Sequence, residues 1–175
     1  MSGPRGPGRL YRLDTDGSIE VVLEGVGTSN GLGFTSDLTG LYHTDTRTRT
    51  LTLYDYDRAS GAISGPRVFV RTPEDEGEGR PDGMTVDAEG HVWSARWGGS
   101  CIVRHGLDGS EERRVTFPAR KVSSLTFGGP DLDVAYVTTA GGGDKEHEGP
   151  GAGALFRVDL GVRGRPEFLS RVGLA

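Results

Sequence analysis

The apolar positions of this chain come in short alternating runs bounded by Gly- and Asp-containing turns. Arg9-Leu10-Tyr11-Arg12-Leu13 alternates, Asp14-Thr15-Asp16-Gly17 turns, and Ser18 to Leu23 runs back. Successive strand side chains point to opposite faces, so this pattern predicts a half-buried hairpin. A larger unit follows: Ser29 to Phe34, a turn ending at Gly40, Leu41 to Thr44, Thr50 to Tyr56, a loop over 57–61, and Arg67 to Val70. The next unit has Pro81 to Val86, the turn Asp87-Ala88-Glu89-Gly90, His91 to Trp93, Cys101 to Arg104, the turn Leu107-Asp108-Gly109, and Arg113 to Phe117. The last has Ser123 to Phe127, Ala135 to Thr138, Ala154 to Leu160 and a short closing strand at 167–169. The glycine-rich, charged residues 141–153 read as a surface loop.

Laid on one another, Asn30-Gly31-Leu32-Gly33-Phe34, Asp82-Gly83-Met84-Thr85-Val86 and Ser124-Leu125-Thr126-Phe127 are equivalent. The third strands start near residues 10, 51, 101 and 154, at spacings of 41, 50 and 53. Four short strands in a period of about 40–50 residues predict β-propeller blades. The expected fold is therefore all-β, a partial propeller of about three and a half blades of four antiparallel strands. Residues 1–8 form a flexible lead-in, and 9–175 hold an outer hairpin (9–24) and blades at about 29–70, 81–117 and 122–170. A ring needs at least about four blades, so part of the ring is expected to lie outside this chain. The competing reading is an antiparallel sandwich of unrelated strands.

Composition narrows the function. With Gly 30 and Pro 9 in 175 residues, the chain suits many tight turns around one ordinary core. A formal charge of -5 with interspersed signs excludes a general nucleic-acid binder, which needs a basic stripe. No stretch approaches the roughly 18 apolar residues of a membrane span, so no membrane partner is expected. Residues 1–8 lack the apolar run of a signal peptide, and the expected location is cytoplasmic. The lone Cys101 excludes an internal disulfide or a thiolate cluster and reads as a buried strand residue.

In a blade the innermost strand lines the channel, and Asn30 and Asp82 hold the same place in neighbouring blades. An amide oxygen and a carboxylate meeting on one axis suit a hard divalent cation. Ser123 or Ser124, at the third place, is a weak ligand or a substrate contact. Ca²⁺ takes about 6–8 oxygens, so further ligands are expected from missing blades. The plain alternative is that Asn-Gly and Asp-Gly are common turn dipeptides. Asp45 reads as a turn cap. His43 and His91 on second strands, His105 on a third and His147 in the charged loop have no metal spacing, and read as packing or surface residues. Trp93 reads as core, Trp97 as the border of a pocket, and Glu74 to Glu78 as a solvated loop. Gly98-Gly99-Ser100 and Gly141-Gly142-Gly143 lack the Lys and helix of a phosphate loop, and no serine has a nucleophile-elbow context.

The ordered series Gly8 to Gly17, Ser29 to Leu32, Leu53 to Asp57, Pro81 to Met84, Asp87 to Gly90, Phe127 to Gly129, Tyr136 to Thr138 and Phe156 to Val158 resembles the senescence marker protein / gluconolactonase / luciferin-regenerating enzyme family, which includes regucalcin. The resemblance covers residues 8 to about 170. It implies a six-bladed propeller that binds a divalent metal in its channel, often Ca²⁺ and in some members Zn²⁺ or Mg²⁺, and hydrolyses sugar lactones. By motif, Asn30 resembles one metal ligand of the family, and Asp82 another that is also the candidate general base. The family's N-terminal glutamate ligand, a further asparagine and a substrate-holding arginine are expected upstream of Met1. They would come from a longer gene product or a partner chain, whereas a self-associated half-ring would place Asn30 and Asp82 twice around one axis and give a different ligand set. The alternatives to a lactonase are a non-catalytic metal- or ligand-binding propeller fragment and a decayed fragment that folds poorly.

Overall fold

Alternation becomes strand through most of the chain. The structure, a computed structural model, describes residues 7–169. Its elements are β1 (Gly8–Leu13), β2 (Ile19–Val26), β3 (Ser29–Phe34), β4 (Gly40–Asp45), β5 (Thr50–Asp57), β6 (Ala62–Arg71), β7 (Arg80–Val86), β8 (Val92–Trp97), β9 (Cys101–His105), β10 (Glu111–Thr116), β11 (Val122–Gly128), β12 (Val134–Thr139), the helical turn α1 (Lys145–Glu148) and β13 (Leu155–Asp159). They form four antiparallel meanders: β1-β2, β3-β4-β5-β6, β7-β8-β9-β10 and β11-β12-β13.

Three expectations need correction. The lead-in ends earlier than residue 8, because Gly8 already pairs with Val26 in the first hairpin. His91 lies in the β7–β8 turn rather than on the second strand. The fourth sheet has three strands among the described residues, because 167–169 is not a strand. The chain there reads Leu160-Gly161-Val162-Arg163-Gly164-Arg165-Pro166, with Gly161 at a φ of 68°. It lacks alternation, and Pro cannot donate to a ladder.

This segment instead crosses the turns at one end of the inner strands. Ala88 N–H donates to Arg163 O at 2.8 Å, and Gly164 N–H donates to Leu132 O at 2.8 Å. The Arg165 guanidinium donates to Ser36 O at 3.3 Å. Phe168 meets the edge of Phe34 with ring centroids 6.0 Å apart.

Successive sheets pack face to face, and β8 is buried on both faces from Val92 to Arg96. Val92 joins Tyr42, Leu51, Val70, Met84 and Val86 in a core between the second and third sheets. Its neighbours Trp93 and Ala95 join Ile102, Val122, Leu125, Phe127, Ala135 and Val137 between the third and fourth. Ser94 and Arg96 keep a polar half of the alternation on the face of Val92, and both are buried there. The inner strands β3, β7 and β11 lie side by side along one edge of this stack.

Candidate functional site

Close approach of the inner strands decides where the candidate ligands sit. The ladder between β3 and β4 slips between Ser29 and Leu32, and that between β7 and β8 slips between Pro81 and Met84. A third slip falls between Val122 and Ser124 of β11. Such irregularities turn side chains out of the regular ladder, and Asn30 and Asp82 occupy the matching ones. The Asn-Gly and Asp-Gly pairs are therefore strand residues and not turns. A Cβ at Gly31 would lie 2.7 Å from Met84 N and 2.9 Å from the Asp82 carbonyl oxygen. A Cβ at Gly83 would lie 2.5 Å from Ser124 Cβ and 2.8 Å from Ser123 O. Glycine at both places lets one inner strand press against the next.

Asn30 and Asp82 are thereby brought together, both half-buried. Burial pushes the Asp82 carboxyl up, opposed by hydrogen bonds from the Asn30 side chain and from Gly83 N–H. Nδ2 of Asn30 also donates to Thr46 Oγ1 at 3.2 Å, and Thr46 Oγ1 donates to Pro81 O at 2.7 Å. Ser124 packs against the Gly83 backbone. The Ser123 hydroxyl is engaged with Thr138 Oγ1 at 2.8 Å. A carboxylate and an amide oxygen are hard donors of the kind Ca²⁺ or Mg²⁺ prefers, but they fill few of the about 6–8 places around Ca²⁺. Among the described residues no group of three or more His, Cys, Asp or Glu converges. The pair fits part of a cation shell.

The other sequence candidates sort plainly. Asp45 caps the preceding loop: its carboxylate accepts from Gly27 N–H and Thr28 N–H, each at 2.8 Å, and from Arg47 N–H at 3.0 Å. Trp93 and Cys101 are fully buried. Trp97 is exposed and lines no cavity among the described residues, with Lys121 Nζ 5.4 Å from its ring centroid and Glu148 holding that ammonium at 2.6 Å. Glu78 is not merely solvated, because it pairs with Arg114 at 2.8 Å.

Four features were not foreseen. Ser29 Oγ lies 2.9 Å from the buried His43 Nε2, whose ring burial holds below its usual range. Thr46 bridges two inner strands. Asp87 is wholly buried and accepts from Trp93 Nε1 at 3.0 Å and Arg104 Nε at 2.9 Å. Arg96 is buried beside His105, 3.1 Å between Nη2 and Nε2, with its own Nε unpartnered. Residue type and alternation mark each as a turn or strand position, and nothing in them names a partner on another strand.

The profile of the SMP-30/Gluconolactonase/LRE-like region matches residues 1–141. A pentonolactonase of Haloferax volcanii is 53% identical over 174 residues, covering 95% of this chain and 59% of its own length. A luciferin-regenerating enzyme superposes with a TM-score of 0.84 at 34% identity, over 92% of this chain and 54% of that one. Regucalcin of Agrobacterium tumefaciens, described as a calcium-binding protein, gives 0.82 at 29% identity over 91% and 55%. The chain thus spans little more than half the length of these proteins.

Proposed function

Because the chain belongs to the SMP-30/gluconolactonase/LRE-like family, we propose that it is part of a hydrolase that opens sugar lactones at a divalent cation. The observation that carries this is the meeting of Asn30 and Asp82 in matching irregularities of neighbouring inner strands. Support for the substrate class comes from the pentonolactonase relative. Ca²⁺ is the first choice of cation because the A. tumefaciens neighbour is described as calcium-binding, with Zn²⁺ or Mg²⁺ as alternatives. In this reading the inner strands form the wall of a six-bladed ring, with blades at about 29–70, 81–117 and 122–170. The remaining oxygen ligands and the substrate-holding arginine come from a further segment or a partner.

Asn30 would present its amide oxygen and Asp82 one carboxylate oxygen to the cation. When bound, the cation supplies Lewis-acid polarisation of the lactone carbonyl. Asp82 acts as general base. Burial makes it a stronger base than a solvated aspartate, while the Asn30 and Gly83 donors and the cation's charge keep it ionised. It takes a proton from water as the water oxygen bonds to the carbonyl carbon. The ring C–O bond then breaks, and the proton held by Asp82 passes to the departing ring oxygen, giving the hydroxy acid.

The test is Asp82→Asn, which keeps the shape and removes the base. Lactone hydrolysis by the ring-complete protein, followed by proton release, is expected to fall at least about 100-fold, with the melting temperature retained. Unchanged hydrolysis would overturn the reading. A second reading, a non-catalytic cation-binding half-ring, is favoured by the small ligand set among the described residues. It predicts Ca²⁺ binding by a self-associated form that opens no lactone.

A further inference from the structure

Thr46 follows β4 in the loop of the second sheet, yet its hydroxyl reaches the third. It donates to Pro81 O, the residue before Asp82, at 2.7 Å. A carbonyl oxygen can only accept, so the single hydroxyl proton is committed there. Towards Asn30, 3.2 Å away, Thr46 Oγ1 can then only accept. The Asn30 group facing it must be the NH₂ and not the oxygen. The Asn30 side chain also lies near enough to the Asp82 carboxyl to oppose the upward push of burial on it. Thr46 thus holds the NH₂ end, and Oδ1 is the end of the carboxamide that no hydrogen bond among the described residues engages. We propose that Thr46 is a positioning residue that sets the Asn30 carboxamide oxygen-outward and ties its strand to the one bearing Asp82, so that both oxygens face one cation.

This inference rests on the cation reading of the proposed function, but its structural half is separable from it. A carboxamide is nearly symmetric in shape, so packing alone does not choose which end faces a cation. A hydroxyl with its proton already used does choose. With valine at 46 the site keeps its volume, and the amide is free to turn its NH₂ towards the cation, where it repels.

The chain supplies its own probe. Asn30 is its only asparagine, and it has no glutamine. A ¹H–¹⁵N correlation spectrum of the 175-residue chain therefore contains one carboxamide NH₂ pair, which belongs to Asn30 without assignment. In the wild type this pair is expected to be displaced from the free-amide position and slow to exchange with water. Thr46→Val should collapse it towards the free-amide position, and Thr46→Ser should restore it. Backbone amide dispersion, read from the same spectra, confirms that each variant is folded. A pair that stays put in folded Thr46→Val overturns the inference, and so does failure of Thr46→Ser to restore it. If Thr46→Val does not fold, the Ser variant and Thr46→Ala carry the same comparison.

Calorimetric titration with Ca²⁺ adds the second arm. Loss of an outer partner of a ligand commonly weakens metal affinity about 10–100-fold, and a weakening of at least about tenfold is expected for Thr46→Val with little change in melting temperature. Equal Ca²⁺ affinity in Thr46→Val and wild type overturns the role of Thr46. If the wild type takes up no Ca²⁺ while its NH₂ pair responds to Thr46 as above, the cation reading fails and the bridge itself stands.

Discussion

Gly83 has no side chain because the next inner strand occupies that space. A methyl group there would overlap Ser124 Cβ and Ser123 O, and backbone atoms do not step aside as a flexible side chain would. Overpacking of this kind costs about 1–3 kcal/mol. Gly83→Ala is therefore expected to lower the unfolding free energy by that amount in urea titration. Gly143→Ala, with nothing within 4 Å of its Cβ, is the matched control and should stay within about 0.5 kcal/mol of wild type. The residue pair Asp82-Gly83 was legible as equivalent to Asn30-Gly31. That the glycines serve inter-sheet contact rather than a turn was not, since Gly carries the same letter for both uses.

At the scale of the element, the β7–β8 hairpin is organised around Asp87. The sequence marked Asp87 to Gly90 as a turn, and Gly90 does take a φ of 88°. The carboxylate caps that turn, accepting from Glu89 N–H and His91 N–H, each at 3.0 Å. It also receives Trp93 Nε1–H from β8 and Arg104 from β9. One buried anion thus satisfies a turn, a core indole and a guanidinium that stacks 6.0 Å from the same indole ring. Asp87→Ala would leave the buried Trp93 indole donor unpaired and take one carboxylate from Arg104, which keeps Glu89 and Glu112, a change that costs about 1–3 kcal/mol. A fall of that size in a denaturant melt, with a shift in Trp93 emission, is the expected outcome. A loss below about 1 kcal/mol would refute the hub.

Over the whole molecule, stability depends on how the second and third sheets enclose their shared core. His105 faces that core: it sits directly opposite Val92, which packs against Tyr42, Leu51 and Val70. Burial and the adjacent Arg96 push its imidazole down to about 4, while burial also lowers Arg96 to about 10. His105 Nδ1 donates to Gly109 O at 3.2 Å and Nε2 accepts from Arg96, so the folded ring is neutral. The unfolded ring gains its proton near 6.5. This contribution is complete above pH 6.5 and is lost as pH falls towards 4, where the loss reaches roughly 3 kcal/mol. Chemical denaturation at pH 7.5 and at 4.5 should show it, and His105→Gln should remove the His105 share across that window and leave that of His43. Asp37, which Thr35 and Thr39 hold at about 2, titrates below it.

The sequence alone determined the strand repeat, the equivalence of the three inner strands, the fully buried Trp93 and Cys101, and the pairing of Asn30 with Asp82 as neighbours across repeats. These follow from side-chain periodicity and from turn chemistry, which act over a few residues and are written locally. It did not determine that 160–168 crosses the turns instead of closing the last sheet, nor the partners of Thr46, Asp87 and His105. The Thr46–Pro81 contact, 35 residues apart, was decided when two sheets stacked, and the others when strands of one sheet paired and set Arg104 against Asp87 and Arg96 against His105. No local pattern encodes that distance.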